Sequence, residues 1–427
     1  MAGVAGMVIA AGMLASCGGA GTGTSIGVGP SPAPLGGPGR AGSAAAGPCA
    51  APARSAGPRM PTLPRPGSVV LSYQLNGVAA LSAASAWAVG TTDSTDPRVV
   101  YWSGSTWTER VLSLSPGRPG NPPGGFQAVA AVSADDVWAV GVNTGGLLAE
   151  HWDGRAWTVV RTPTPSRLGG SVFLQGVAAA SARDIWAVGG PEQPVIVHWN
   201  GRTWTIVPSP VPPGANTDLL GVAAVSAGSA WAVGYTWPTG GTQVPLIEHW
   251  NGTAWIVVPG PAIPGGGTLT AVAAASPRDA WAVGARGGQV SGGSGLIEHW
   301  DGRTWTIVPS PDLAAGGVGG ELHAVTIVRD GSAWAVGGAF CPRQGILTVI
   351  EHWDGRTWSL VPSPASGELD GVAAASPSSA WAVGSWSASD AAIIEYWNGT
   401  AWTWPAGFCA APSGPGCDLP STISSSP

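Results

Sequence analysis

Between Ile297 and Pro311 the chain reads IEHWDGRTWTIVPSP. Glu298 and His299, side by side, are an acid and a base of the kind that general acid–base catalysis uses. Asp301 adds a second carboxylate and Arg303 a guanidinium, while Trp300 and Trp305 add two indole platforms. Whether these groups form an active site depends on the elements that position them.

The stretch is one of seven copies. An AWAVG-like segment places Trp87, Trp138, Trp186, Trp231, Trp281, Trp334 and Trp381 at spacings of 51, 48, 45, 50, 53 and 47. A second Trp follows at 102, 152, 199, 250, 300, 353 and 397, and a third comes five residues later each time. A period near 48 predicts blades or a solenoid. In the fifth copy the strand-like pieces are Leu269–Ser276, Asp279–Gly284, Leu296–Trp300 and Arg303–Pro309, the last stopped by Pro309. Four antiparallel strands repeated seven times predict an all-β fold, a seven-bladed β-propeller over residues 68–405.

Asp301-Gly302 reads as a two-residue hairpin turn. On that register Trp300 faces Arg303, His299 faces Thr304 and Glu298 faces Trp305. Glu298, Trp300, Arg303 and Trp305 then share one face. Arg303 is expected to stack on Trp300 and Glu298 to pair diagonally with Arg303.

Copy number argues against catalysis at this stretch. His recurs at 151, 198, 249, 299 and 352, with Tyr101 and Tyr396 in the other two copies, and Glu recurs at 150, 248, 298, 351 and 395. One acid and one base suffice for a site. We therefore read Trp281, Glu298, His299, Trp300, Asp301, Gly302, Arg303 and Trp305 as structural, with no catalytic residue, metal ligand or cofactor. His323, outside this register, reads as a satisfied core or rim histidine.

Composition agrees. The chain has 427 residues with 67 Gly and 40 Pro, which suits short strands and turns rather than helices. All 18 basic residues are Arg, and the net charge of -6 carries no basic stripe, so nucleic acid is not an expected partner. Residues 1–17 form an apolar leader ending in Leu14-Ala15-Ser16-Cys17 that resembles a bacterial lipobox, although no Lys or Arg precedes the run. The resemblance implies lipidation at Cys17 and an extracytoplasmic, membrane-anchored protein, with plain secretion as the alternative. Residues 18–67 are rich in Gly, Ala and Pro and read as a disordered linker with a reach of about 35–42 Å. Residues 406–427 form a tail in which Cys409 and Cys417 can close a small disulfide loop. The pairing of Cys49 and Cys341 is left open.

The repeat resembles kelch repeats, in which a second strand ends in Gly-Gly and a fourth carries Trp before Pro. Gly189-Gly190, Gly337-Gly338, Trp300-Asp301, Trp305 and Pro309 carry that likeness. It also resembles tectonin-type lectin repeats through Trp250-Asn251-Gly252 to Trp255. Both resemblances imply a binding scaffold. Propeller sialidases would need an Arg cluster with Tyr and acids, and kelch-type copper oxidases His and Tyr ligands. Neither set is assembled in the sequence.

Function is expected where the copies stop matching, in the second-to-third and fourth-to-first connections on one face. Tyr235, Trp237, Arg286, Phe340, Arg343 and Trp386 are the candidate binding-face residues. The expected role is a monomeric, surface-tethered, non-catalytic scaffold for a protein or cell-envelope partner. A glycan-binding, lectin-like propeller is the alternative, and a propeller hydrolase or oxidase is the more remote one.

Overall fold

The computed structural model describes residues 73–405, apart from 93–95, 113–123, 144–145, 164–171, 192, 212–215, 239–240, 288–292, 312–318, 342–344 and 387–390. The leader, the linker up to 67, the tail, Cys17, Cys49, Cys409, Cys417 and Arg343 lie outside the described residues.

Short runs of Ala, Val, Leu and Trp, bounded by Gly, Pro and Asp, form 28 strands, with no helix among the described residues. They make seven four-stranded antiparallel sheets, each of four strands consecutive in sequence. The blades span 74–109, 124–159, 174–207, 216–257, 267–307, 319–360 and 368–403. First strands neighbour one another around the ring and line a central channel. The fourth strands are short and outermost, Trp305–Ile307 in blade 5 being typical.

Every first strand carries a β-bulge at the same place. Its extra residue is Asn76, Gln127, Gln175, Leu220, Thr270, His323 or Asp370 in blades 1 to 7. A bulge leaves one residue out of the ladder and re-aims it. It also draws the strand's carbonyl against its neighbour, which explains the last residue of AWAVG. A Cβ on Gly234 would fall onto the Asp218 carbonyl oxygen, and one on Gly337 onto that of Glu321. The same holds at the other five copies.

The Trp triads join the blades. Trp231 of blade 4 meets Trp300 of blade 5 at 5.1 Å, and Trp305 edge-on at 5.2 Å and 89°. Every interface repeats this, including Trp381 of blade 7 on Trp102 (5.0 Å) and Trp107 (5.1 Å, 88°) of blade 1. Edge-to-face aromatic pairs contribute about 0.5–1.5 kcal/mol beyond the area they bury. The described strands show no exchange between blades 7 and 1. The ring closes through side chains, with Leu75, Val100 and Tyr73 packed against Val383 and Ile394.

The outer hairpin departs from the expected two-residue turn. Trp300 pairs with Trp305, His299 with Thr306 and Glu298 with Ile307. Asp301 to Thr304 form a four-residue loop, because the Asp301 side chain replaces the backbone partner. Its Oδ1 accepts the N–H of Arg303 (2.8 Å) and of Thr304 (2.9 Å), and Gly302 sits at φ +91°. Such side-chain turns are a property of Asx residues. Asp153, Asn200, Asn251, Asp354 and Asn398 do the same. Arg303 is thereby exposed in the loop, and neither the Arg303–Trp300 stack nor the Glu298–Arg303 pair forms among the described residues. Glu298, Trp300, Trp305 and Ile307 share one face, and His299 and Thr306 the other.

Candidate binding face at the channel mouth

The acid and base of the quoted stretch lie on opposite faces of the blade and serve different contacts. The Glu side chains of the third strands are fully buried. They receive hydroxyls from the exit of the preceding blade. Ser209 Oγ donates to Glu248 (2.7 Å), Ser310 Oγ to Glu351 (2.9 Å) and Ser363 Oγ to Glu395 (2.6 Å). Burial raises Glu248, Glu298 and Glu395 to about 7 and Glu351 to about 8. At Glu298 the serine position is taken by Gly260, and neither carboxyl oxygen has a hydrogen-bond partner.

The histidines lie against the second-strand Trp of their own blade, His299 on Trp281 at 4.3 Å and His151 on Trp138 at 4.4 Å. Their Nε2 atoms are held by the first residue of the second strand. His151 lies 2.8 Å from Asp136, His198 2.7 Å from Asp184 and His299 2.8 Å from Asp279. His249 bonds Ser229 at 3.1 Å. Three of the five Glu and four of the five His side chains thus meet an equivalent neighbour.

The bulges lie where the blades differ. They line a channel cavity of about 300 Å³. Several reach the next blade: Asn76 Nδ2 donates to the Phe126 carbonyl (2.7 Å), Gln175 Nε2 to Asp218 (3.3 Å) and Thr270 Oγ1 to the Leu322 carbonyl (2.6 Å).

Between blades 6 and 7 the polar groups gather. His323 Nδ1 is 3.2 Å from Asp370 Oδ1. Its Nε2 is 3.6 Å from Glu321 and 3.5 Å from Glu368. Burial opposes charge on His323, but the bonds to Asp370 and Glu321 and the charge of Glu368 outweigh it, and its pKa stands well above the usual value. Burial raises Glu368, while the bond to His323 lowers Glu321. On the opposite side of the ring, burial pushes Asp218 up to about 6 although Tyr235 and Gln175 bond it.

Tyr235, Trp237, Arg286 and Phe340 sit on this same face, at the ends of second strands rather than in loops, and Trp386 directly follows the second strand of blade 7. The strands run further than the sequence suggests, to Trp237 in blade 4, Arg286 in blade 5 and Cys341 in blade 6. Trp237 is 50% and Phe340 47% exposed. Tyr235 is half-buried and donates its hydroxyl to Asp218 (3.2 Å). Arg286 is half-buried and lowers Glu298 electrostatically. Trp386 packs against the core between blades 6 and 7. Cys341 is buried and disulfide-bonded, and every other cysteine of the chain lies outside the described residues.

The sequence points to His323 only as a single core or rim histidine, whereas the structure sets three carboxylates around it. A signal for the cluster exists in the sequence. In the motif LNGV, FQAV, LQGV, LLGV, LTAV, LHAV, LDGV the first residue is Leu or Phe, the third Gly or Ala and the fourth always Val, while the second changes its chemistry from copy to copy, and that second residue is the bulge.

No family model and no curated protein matches the chain. Solved structures do. YCF48 bound to a D1 peptide is similar over 80% of this chain and 99% of its own, at 14% identity and a TM-score of 0.50. The WD40 repeats of RRP9 match over 77% and 96%, at 12% and 0.51. A GH74 xyloglucanase from Xanthomonas campestris matches over 78% of this chain and 53% of its own, at 16% and 0.55. At these identities the likeness is one of fold, that of an all-β seven-bladed propeller.

Proposed function

We propose that this protein is a non-catalytic binding propeller that takes a peptide or protein partner on the face where the channel opens. The observation that carries the reading is the coincidence of two properties on that face. It is where the seven copies stop matching, and it is where Trp237 and Phe340 stand exposed beside a mouth rich in carboxylates. Exposed aromatics on a rigid frame are the usual anchors of interfaces. The repeated Glu and His side chains lie on opposite faces of each blade, with the Glu fully buried, which leaves them poorly placed to act as an acid–base pair. Among the structural neighbours, YCF48 is seen with a peptide, which is consistent with this use of the fold.

Localisation follows from the leader. We place the protein outside the cytoplasm, tethered by lipid on Cys17 through the linker. The neighbouring reading, a lectin-like propeller, draws on the same exposed Trp237.

The test is a parallel screen of the full-length mature protein on a peptide library and a glycan array, repeated with Trp237→Ala and Phe340→Ala. Peptide binding weakened tenfold or more by either change supports the reading. Glycan binding alone, or peptide binding indifferent to both changes, overturns it. A clickable fatty acid should label the wild type and not Cys17→Ser.

A further inference from the structure

We propose that Glu321, His323 and Glu368 form a site for one divalent transition-metal cation of the zinc class, with Asp370 as its positioning residue. The first two residues both come from the first strand of blade 6 (Gly319–Ile327), and the bulge at His323 leaves its Nε2 3.6 Å from Glu321. Glu368 comes from the matching position of blade 7, directly before Leu369 as Glu321 is before Leu322.

The distances favour a shared ion over a simple ion pair. A charge-assisted N–H to carboxylate bond is about 2.7–2.9 Å long. The His323 Nε2 to carboxylate distances are 3.5 and 3.6 Å, and the three ligand atoms lie within 4.8 Å of one another. Ligands held at about 2.0–2.1 Å around a tetrahedral Zn²⁺ sit roughly 3.3–3.4 Å apart. The imidazole edge of the cluster already has nearly that length. Nδ1 faces Asp370, the arrangement that fixes a metal-binding histidine, and an ion at Nε2 would displace the proton that the surrounding carboxylates hold there.

Charge and space point the same way. Three carboxylates surround one imidazole, and a divalent cation would reduce that excess negative charge. The residue opposite Glu321 in the ladder is Gly338. Blades 2 and 4 carry Val142 and Tyr235 there, and a Cβ at 338 would already stand 3.4 Å from Glu368 Cγ. His323 and Asp370 also line the channel, which offers an entry path and a water for the open position. The other His–Asp pairs, such as His299–Asp279, have no second carboxylate at this distance among the described residues and serve as internal controls.

The experiment uses the full-length chain, stripped with chelator and desalted, then titrated with Zn²⁺ by calorimetry and with Co²⁺ by visible absorption. One Zn²⁺ should bind per chain at micromolar or tighter affinity, and Co²⁺ should develop four-coordinate d–d bands. His323→Gln, Glu321→Gln and Glu368→Gln should each weaken binding at least 100-fold, and Asp370→Asn about 10-fold. Asp279→Asn should leave the titration unchanged. Near-isosteric substitutions and an unchanged tryptophan emission spectrum keep folding out of the comparison. Absence of binding by folded wild type at 100-fold excess Zn²⁺, or binding that persists in both His323→Gln and Glu368→Gln, overturns the site.

Discussion

The outer hairpin and the inner bulge both repeat seven times, yet they are used in opposite ways. In the hairpin the residue types recur, and most recurrent side chains meet an equivalent neighbour: Asp301 its own loop, Trp305 the Trp231 of the previous blade, His299 the Asp279 beside it. In the bulge the backbone recurs and the side chain does not. Asn, Gln, Leu, Thr, His and Asp occupy one geometric position around the channel. A repeated residue type marks packing, and a repeated backbone with a changing residue marks a place where a ring can be specialised without loss of closure.

The largest test of that contrast is Trp231→Ala against Leu220→Asn. Trp231 is 1% exposed and meets both Trp300 and Trp305 across the blade interface. Its truncation should cost about 3–5 kcal/mol by denaturant unfolding. Leu220→Asn moves the bulge residue of blade 1 into blade 4 and should cost no more than about 1 kcal/mol. Equal costs would break the distinction.

The blades were legible because Trp spacing and Gly or Pro punctuation are local signals. The hairpin register was not. Asp301-Gly302 is a sound two-residue turn by backbone criteria, but the carboxylate of Asp301 accepts two backbone N–H groups and stabilises a four-residue loop. A two-residue turn would put Arg303 on the ladder beside Trp300, and the four-residue loop takes it away. The Gly at the end of AWAVG reads as a strand terminator in sequence, while its cause, the neighbouring bulge carbonyl, is tertiary. The His323 cluster is also tertiary: Glu321 and Glu368 lie 47 residues apart and meet only because blade 7 follows blade 6 around the ring.

Next in size is a pH effect carried by the repeated Glu. Folded Glu248, Glu298 and Glu395 titrate near 7 and Glu351 near 8, whereas the unfolded chain titrates near 4.5. Between those limits the unfolded state has released protons that the folded state retains. The contribution of these carboxyls to stability is therefore full below about pH 4.5, falls as pH rises to about 8, and levels beyond. The fall should be on the order of a few kcal/mol for each group, one pKa unit being about 1.4 kcal/mol. Urea midpoints at pH 5 and pH 8.5 measure it, and Glu298→Gln should flatten the slope. A midpoint that rises with pH would show that burial does not control these carboxyls.

Gly234→Ala probes the bulge backbone itself. The added Cβ meets the Asp218 carbonyl, so the strand must shift, at about 1–3 kcal/mol. An equal loss at Gly284→Ala would show that the geometry is common to the ring, whatever bulge residue a blade carries. A neutral result at either site would mean that the bulge can relax and that the channel lining is softer than the hairpins.

The smallest effect separates packing from hydrogen bonding within the hairpin system. Ser310 donates to Glu351, whereas the equivalent position before Glu298 is Gly260. Ser310→Ala should cost about 0.5–1.5 kcal/mol and raise the Glu351 pKa further, because the lost bond lowers it. The converse change, Gly260→Ser, offers Glu298 the hydroxyl that three other blades have. A Cβ there meets the end of the Ile247 side chain at 3.3 Å and Glu298 Oε2 at 3.5 Å, so a small rotation of Ile247 gives room. Gly260→Ser should stabilise by about 1 kcal/mol and lower the Glu298 pKa. A destabilising Gly260→Ser with a neutral Ser310→Ala would mean that the repeated Glu is held by blade packing alone.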